Sequence, residues 1–195
     1  MAYFAMTIQP MSDEEGEECG FFDFNLVDRS LVGLRWYDGV SLGASAPGQV
    51  ALALNNLGGW ASVFPDYSNT PIPLMSERLV MCLRAVGVSN IEYMPAPVLD
   101  APEGCPNYQA VNVVGSVKAA DVTKSKFHRI INAPGADVFD ELVLNAAAVG
   151  NLDLFRLAES VSTLIVSSRI RDAVERADFP TVAFEPLVSA NDQKE

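Results

Sequence analysis

Histidine is almost missing from this chain, and cations are scarce. Its 195 residues hold one His and 13 Lys and Arg against 25 Asp and Glu, a net charge of −12. The single imidazole, His128, lies in KSKFHRI, and no serine sits in the glycine elbow that exposes a hydrolase nucleophile. A surface or strand-edge histidine is therefore expected at 128, not a catalytic base. Cysteine is also sparse: Cys19, Cys82 and Cys105 are odd in number and form no CxxC pair, so neither zinc nor a disulfide framework is indicated. Cys105, in EGCPNY, has no histidine motif within reach to activate it. Gly58–Gly59 lacks the GK[ST] or GxGxxG context of a phosphate loop. Neither metal nor cofactor is expected, and the chain reads as no enzyme.

Long apolar runs are absent as well. None approaches the roughly 18–20 residues of a membrane span. The opening MAYFAMTIQP has neither the basic flank nor the apolar stretch of a signal peptide. A cytoplasmic protein without a membrane partner is the expectation. A deficit of bases also argues against nucleic acid, since phosphate binding needs a cationic surface. The acidity is concentrated early: residues 1–70 carry nine acids and two bases. Such a surface suits solubility, and it also suits steering toward a basic protein.

What is present is a near-copy of one segment. Leu74–Pro95 reads LMSERLVMCLRAVGVSNIEYMP, and Ile165–Pro186 reads IVSSRIRDAVERADFPTVAFEP. An ungapped shift of 91 residues pairs Ser76 with Ser167, Arg78 with Arg169, Leu83 with Val174 and Pro95 with Pro186. Each copy predicts a helix capped by its serine hydroxyl. Leu79, Cys82, Leu83 and Val86 fall on one face of the first, and Ile170, Ala173, Val174 and Ala177 on one face of the second. The helices should stop near Gly87 and near Asp178–Pro180. A strand follows each, Ile91–Met94 or Val182–Glu185, closed by proline.

Elsewhere, Tyr3–Gln9, Phe21–Phe24, Leu31–Tyr37 and Gln49–Leu54 read as short strands or strand and turn. Gly39–Gly48 reads as a loop, Asn55–Gly59 as a turn, and Pro65–Pro73 as a linker. Between the copies, Tyr108–Val114, Phe127–Ile131 and Glu141–Leu144 are β-like, the last two separated by an Asn-Ala-Pro-Gly turn. Ser189–Glu195 is a polar tail. The sum is an α+β protein with duplicated helix–strand units and additional short, mainly antiparallel strands. Residues 1–70 form an acidic, β-rich segment and residues 71–195 contain both copies (74–95 and 165–186), the whole expected to be one compact unit.

The run Asp13, Glu14, Glu15, Glu17 and Glu18 is the candidate partner-binding site. Five carboxylates in six positions repel one another unless something positive answers them, and the spacing is not that of a calcium loop. A solvated loop is the alternative. The aromatics Phe21, Phe22, Trp36 and Tyr37 can serve as interface anchors or as core. Arg78 and Arg169 stand near helix starts, the unfavourable end for a cation, which predicts a compensating salt link or, less simply, a ligand-binding arginine.

The segment YQAVNVVGSVKAADVTKSKF, then DLFRL, then LIVSSRIRDAVERADFPTVAFEPL resembles the immunity protein 11 family of bacterial polymorphic toxin systems. The similar elements are Asn112, the Asp121–Ser125–Phe127 stretch, Asp153–Leu157, the Ser167–Arg169 helix start and the Phe184–Pro186 ending. The likeness covers about Leu74–Leu187. Asp178–Phe179–Pro180 departs from it, standing where the family usually has a glycine-containing helix exit. The resemblance implies a non-catalytic cytoplasmic protein that binds and neutralises a cognate toxin domain. An adaptor or chaperone that loads a secreted effector is the alternative.

Overall fold

The structure, a computed structural model, describes residues 2–55 and 61–187. The chain opens with β1 (Tyr3–Ile8), β2 (Gly20–Phe21), β3 (Asp23–Leu26), β4 (Leu52–Asn55), β5 (Ala61–Val63) and β6 (Tyr67–Ser68). Next come β7 (Leu74–Ser76), α1 (Glu77–Ala85), β8 (Ile91–Ala96), β9 (Val98–Leu99), β10 (Tyr108–Val113) and β11 (Ser116–Val117). Then follow β12 (Lys126–His128), β13 (Val138–Glu141), α2 (Ala146–Val149), β14 (Leu154–Leu157), β15 (Ser160–Ser167), α3 (Ser168–Arg176) and β16 (Val182–Pro186). The architecture is α+β, with more strand than helix. Among the described residues a five-stranded sheet runs β11-β14-β15-β1-β16 and a four-stranded sheet runs β6-β7-β10-β8.

Period-two alternation divides side chains among three cores. Phe4, Met6, Leu164 and Val166 join Val111 and Val113 in a central core that also holds α1 and α3. Tyr3, Ala5 and Ile165 point the other way, onto Leu142, Leu144 and Val149. On the far face of the four-stranded sheet, Tyr108 and Ala110 pack with Trp36, Val50 and Leu52. β1 lies between β15 and β16, antiparallel to both, so the start of the chain is woven into a sheet otherwise built from its end.

Both expected helices form. Leu79 and Leu83, and Ile170, Ala173 and Val174, are buried, while Cys82, Val86 and Ala177 pack partly buried against the same core. Ser76 caps α1 by accepting the Leu79 N–H at 3.2 Å. Ser167 does not cap α3 with its side chain; its hydroxyl donates to Asp153 at 2.6 Å, as that of Ser76 does to Asp66. The helix exits fall where sequence places them, at Gly87 (φ 79°) and Asp178 (φ 56°). Pro95 lies inside β8 and does not close it.

Two further expectations need correction. Leu31–Tyr37 is not a strand: a 3-10 turn spans Arg29–Gly33, started by Asp28, whose carboxylate accepts the Ser30 N–H at 2.9 Å. Trp36 then folds back, fully buried, and donates its indole N–H to Leu31 O at 2.7 Å. Pro65–Pro73 is not a loose linker either. Within it Tyr67 and Ile72 are buried, and β6 pairs with β7. The expected turn Asn55–Gly59 starts on the last residue of β4, and the rest of it, like the tail Ser189–Glu195, lies outside the described residues.

Candidate functional site

The acidic run forms the loop between β1 and β2, and all five carboxylates are exposed. Asp13 turns inward: its Oδ1 accepts the backbone N–H groups of Glu15 at 2.9 Å and Glu17 at 3.0 Å. The loop is closed by a Ser12–Glu18 bridge, with Gly16 at φ 84°. Asp13 thus shapes the loop, while Glu14, Glu15, Glu17 and Glu18 present charge to solvent. Among the described residues none of the five takes part in an ion pair.

A cleft of about 740 Å³ lies close by in sequence, since Ile8 at the end of β1 contributes to its wall. The β12–β13 hairpin, which pairs Phe127 with Phe139 and His128 with Val138, forms one side. Strands β1, β15 and β16 form the other, with Asn69 at the edge. Asp137, Asp140, Glu141 and Glu185 line it together with Thr7, Ser160, Ser162 and Thr163, and no Lys, Arg or His lines it among the described residues. Three of these acids are answered from β12 or just beyond: Lys126 pairs with Glu141, His128 Nε2 lies 3.2 Å from Asp140 and Arg129 Nη2 lies 3.4 Å from Asp137. The His128–Asp140 pair is on the open surface, with side chains 80% and 58% exposed. Carboxylates and hydroxyls in this arrangement can attract and orient cationic groups. Among the described residues no three His, Cys, Asp or Glu gather to hold a metal. Burial pushes the Cys82 and Cys105 thiols up from their ordinary values, away from thiolate chemistry.

The polar residues singled out in sequence hold the fold together. Asp153 accepts from Ser167 Oγ at 2.6 Å and from Arg169 Nη2 at 2.6 Å. The Arg169 bonds hold the Asp153 carboxyl below its ordinary range, against the upward push of partial burial. Arg169 also donates to the Val86 carbonyl at the end of α1. Arg78 donates to the Ala177 and Asp178 carbonyls at the end of α3. Each arginine begins one helix and neutralises the carbonyl end of the other, so the dipole that disfavours it locally is offset by its neighbour's. Among the described residues, salt linkage is thus found at Arg169 and not at Arg78.

Asn112, fully buried, donates to Val40 O at 2.8 Å and to Glu92 Oε2 at 2.7 Å. Glu92 is pushed up by burial but more strongly pulled down by bonds from Ser41, Leu42 and Asn112, and so fastens the 40–42 loop as a carboxylate. Asp121 closes a turn by accepting Thr123 Oγ1 at 2.7 Å. Of the aromatic candidates, Trp36 is core; Phe22 stacks on Phe64 with centroids 4.1 Å apart, and the half-buried Tyr37 lies under the Arg156 guanidinium at 5.0 Å. Burial pushes the Tyr37 hydroxyl up to about 12, outweighing the pull of Arg156.

Sequence reasoning missed Asp137, Asp140, Glu141 and Glu185. The available signal was the acid-bearing DVFDE, which starts a strand at Val138; only the fold brings Glu185 across from β16. The whole is an acidic α+β scaffold with a carboxylate-lined cleft and an outward-facing acidic loop. The model of an immunity protein family (Imm11) matches residues 55–189, and the chain belongs to that family. Membership gives it a role in toxin immunity. No curated protein matches the chain.

Proposed function

We propose that this chain is a non-catalytic immunity protein that binds a cognate bacterial toxin domain in the cytoplasm and neutralises it. Membership of the immunity protein family carries the reading. The net charge of −12 and the acid-lined cleft support a basic protein as partner, with neither nucleic acid nor membrane as ligand. Asp13, Glu14, Glu15, Glu17 and Glu18 steer the encounter from the β1–β2 loop. Such rim charges act on the association rate more than on the final affinity.

The scaffold has two strand–helix–strand units derived from one, and residues 1–70 and 71–195 make one compact unit. Reciprocal contacts support the first statement: Arg78 meets Ala177 and Arg169 meets Val86, and the shift of 91 residues exchanges the two pairs. In both units a serine at the helix start donates its backbone N–H to an aspartate carbonyl at 2.8 Å. Its hydroxyl donates to the same aspartate's carboxylate at 2.6 Å (Asp66 in one, Asp153 in the other). Pairing of β1 with β15 and β16 supports the second. The test is co-expression with the product of the gene adjacent to this chain's own: if that product is toxic, growth is restored and the two co-purify. Growth arrest that persists with the chain soluble and folded contradicts the reading.

A further inference from the structure

A second cavity, of about 590 Å³, opens beneath the turn joining β12 to β13, between residues 129–135, Lys118, Val122 and the Ala158–Glu159 turn. Two carboxylates line it, Asp137 and Glu159, each 8% exposed. Asp137 is answered by Arg129 at 3.4 Å. Glu159 is not answered by any cation among the described residues. Its Oε1 accepts one N–H, from Ala120 at 3.3 Å, and its Oε2 is buried with no hydrogen-bond partner among the described residues. Holding a carboxylate oxygen away from water with nothing to pair it is destabilising.

The surroundings are equally unusual for a free surface. Val122, Ile130 and Ile131 are 43%, 48% and 83% exposed, and all three line this cavity. Open aliphatic side chains around a desolvated polar centre have the anatomy of an interface hot spot, where apolar contacts exclude water from a buried charge pair. Lys118 and Arg129 also line the cavity, and Arg129 is engaged with Asp137; the net charge of −12 over the whole chain favours the approach of a cationic visitor.

We infer that this cavity receives a lysine or arginine side chain of the partner protein, which pairs with Glu159 while apolar residues beside it pack on Ile130 and Ile131. The inference rests on the immunity reading and names the chemistry of the partner's contact. Arg129 stays with Asp137, leaving Glu159 as the acceptor for the incoming charge. The unpaired carboxylate is then a device for binding: it weakens the free protein and is satisfied in the complex.

The test measures affinity for the toxin domain that the full chain is found to protect against on co-expression, using the full chain and the variants Glu159→Gln and Ile131→Asp. Glu159→Gln keeps the shape and an acceptor for Ala120 while removing the charge. The expected result is at least a tenfold loss of affinity, with a melting temperature of the free protein unchanged or raised. Ile131→Asp, at an exposed position, should also lose tenfold or more without a change in melting temperature, and it keeps the test decisive should Glu159→Gln fail to fold. Parent-like binding by Ile131→Asp overturns the inference. So does a Glu159→Gln variant that binds as the parent does, or whose melting temperature falls while Ile131→Asp binds normally. In each of these outcomes the parent still binds and the immunity reading stands. A folded parent that does not bind removes both.

Discussion

Replacing Arg169 with Met tests how the two helix units are joined. Three hydrogen bonds are lost: Nη2 to Asp153 Oδ2 at 2.6 Å, Nε to Asp153 Oδ1 at 3.3 Å, and one to the Val86 carbonyl. The aliphatic stem keeps much of its packing in Met. The arginine side chain is 48% exposed and Asp153 26%, so solvent screens the pair and a fully buried value does not apply. The expected cost is about 1–2 kcal/mol at pH 7, between an exposed ion pair and a charge-assisted bond. For a chain of this length that is a fall in melting temperature of about 2–8 °C. The cost depends on pH. Asp153 has its folded pKa depressed, chiefly by Arg169, so its stabilisation is complete above the unfolded carboxylate value of about 4 and is lost as pH falls through the folded value. The gap between parent and variant should therefore narrow in acid. Arg78→Met is the control: Arg78 bonds to the carbonyls of Ala177 and Asp178 with no carboxylate partner among the described residues, so its loss should vary little with pH. Thermal or urea denaturation at pH 7 and near pH 3 reads both. A gap for Arg169→Met that is the same at both pH values, or is absent at pH 7, would show that the Arg169–Asp153 pair does not stabilise the fold.

Leu83, fully buried in the central core, should cost about 2–5 kcal/mol when cut to Ala, read by urea denaturation. Gly39→Ala should cost about 2–4 kcal/mol by the same assay. A Cβ there would lie 2.5 Å from Ser116 Cβ and 2.6 Å from its backbone N, at a φ of +71°. Changing Asp13, Glu14, Glu15, Glu17 and Glu18 to Ser or Gln should slow association with the toxin domain at low salt and flatten its salt dependence, with identical on-rates counting against steering. The four outward glutamates should account for this effect. Asp13, which holds the loop through Glu15 and Glu17, should add a small loss of local order.

The helices and the strands that follow them were legible because local rules set them: apolar spacing fixes the faces of α1 and α3, and Gly87 and Asp178 end them. Ser167 shows where locality fails: it starts α3 without a side-chain cap bond, and its hydroxyl donates to Asp153, fourteen residues away. Pro65–Pro73 has linker composition, but Tyr67 and Ile72 are buried in cores that draw on distant elements as well as on β7. No strand is read from sequence at 154–157, because Leu154, Phe155, Arg156 and Leu157 are all buried. A strand covered on both faces loses the alternation that would reveal it. The acidic loop was visible as composition. The cleft was not, because Glu185 and Asp140 are brought together only by the packing of β16 and the β12–β13 hairpin. Glu159 was invisible for the same reason: an unpaired buried carboxylate is a property of its surroundings.

Co-expression with the product of the adjacent gene decides whether this protein neutralises a toxin, scored by growth and by co-purification of the two chains. Binding and neutralisation by this protein predict restored growth and a stable complex that elutes together. Toxicity that persists beside soluble, folded protein, with the two chains eluting apart, would contradict it.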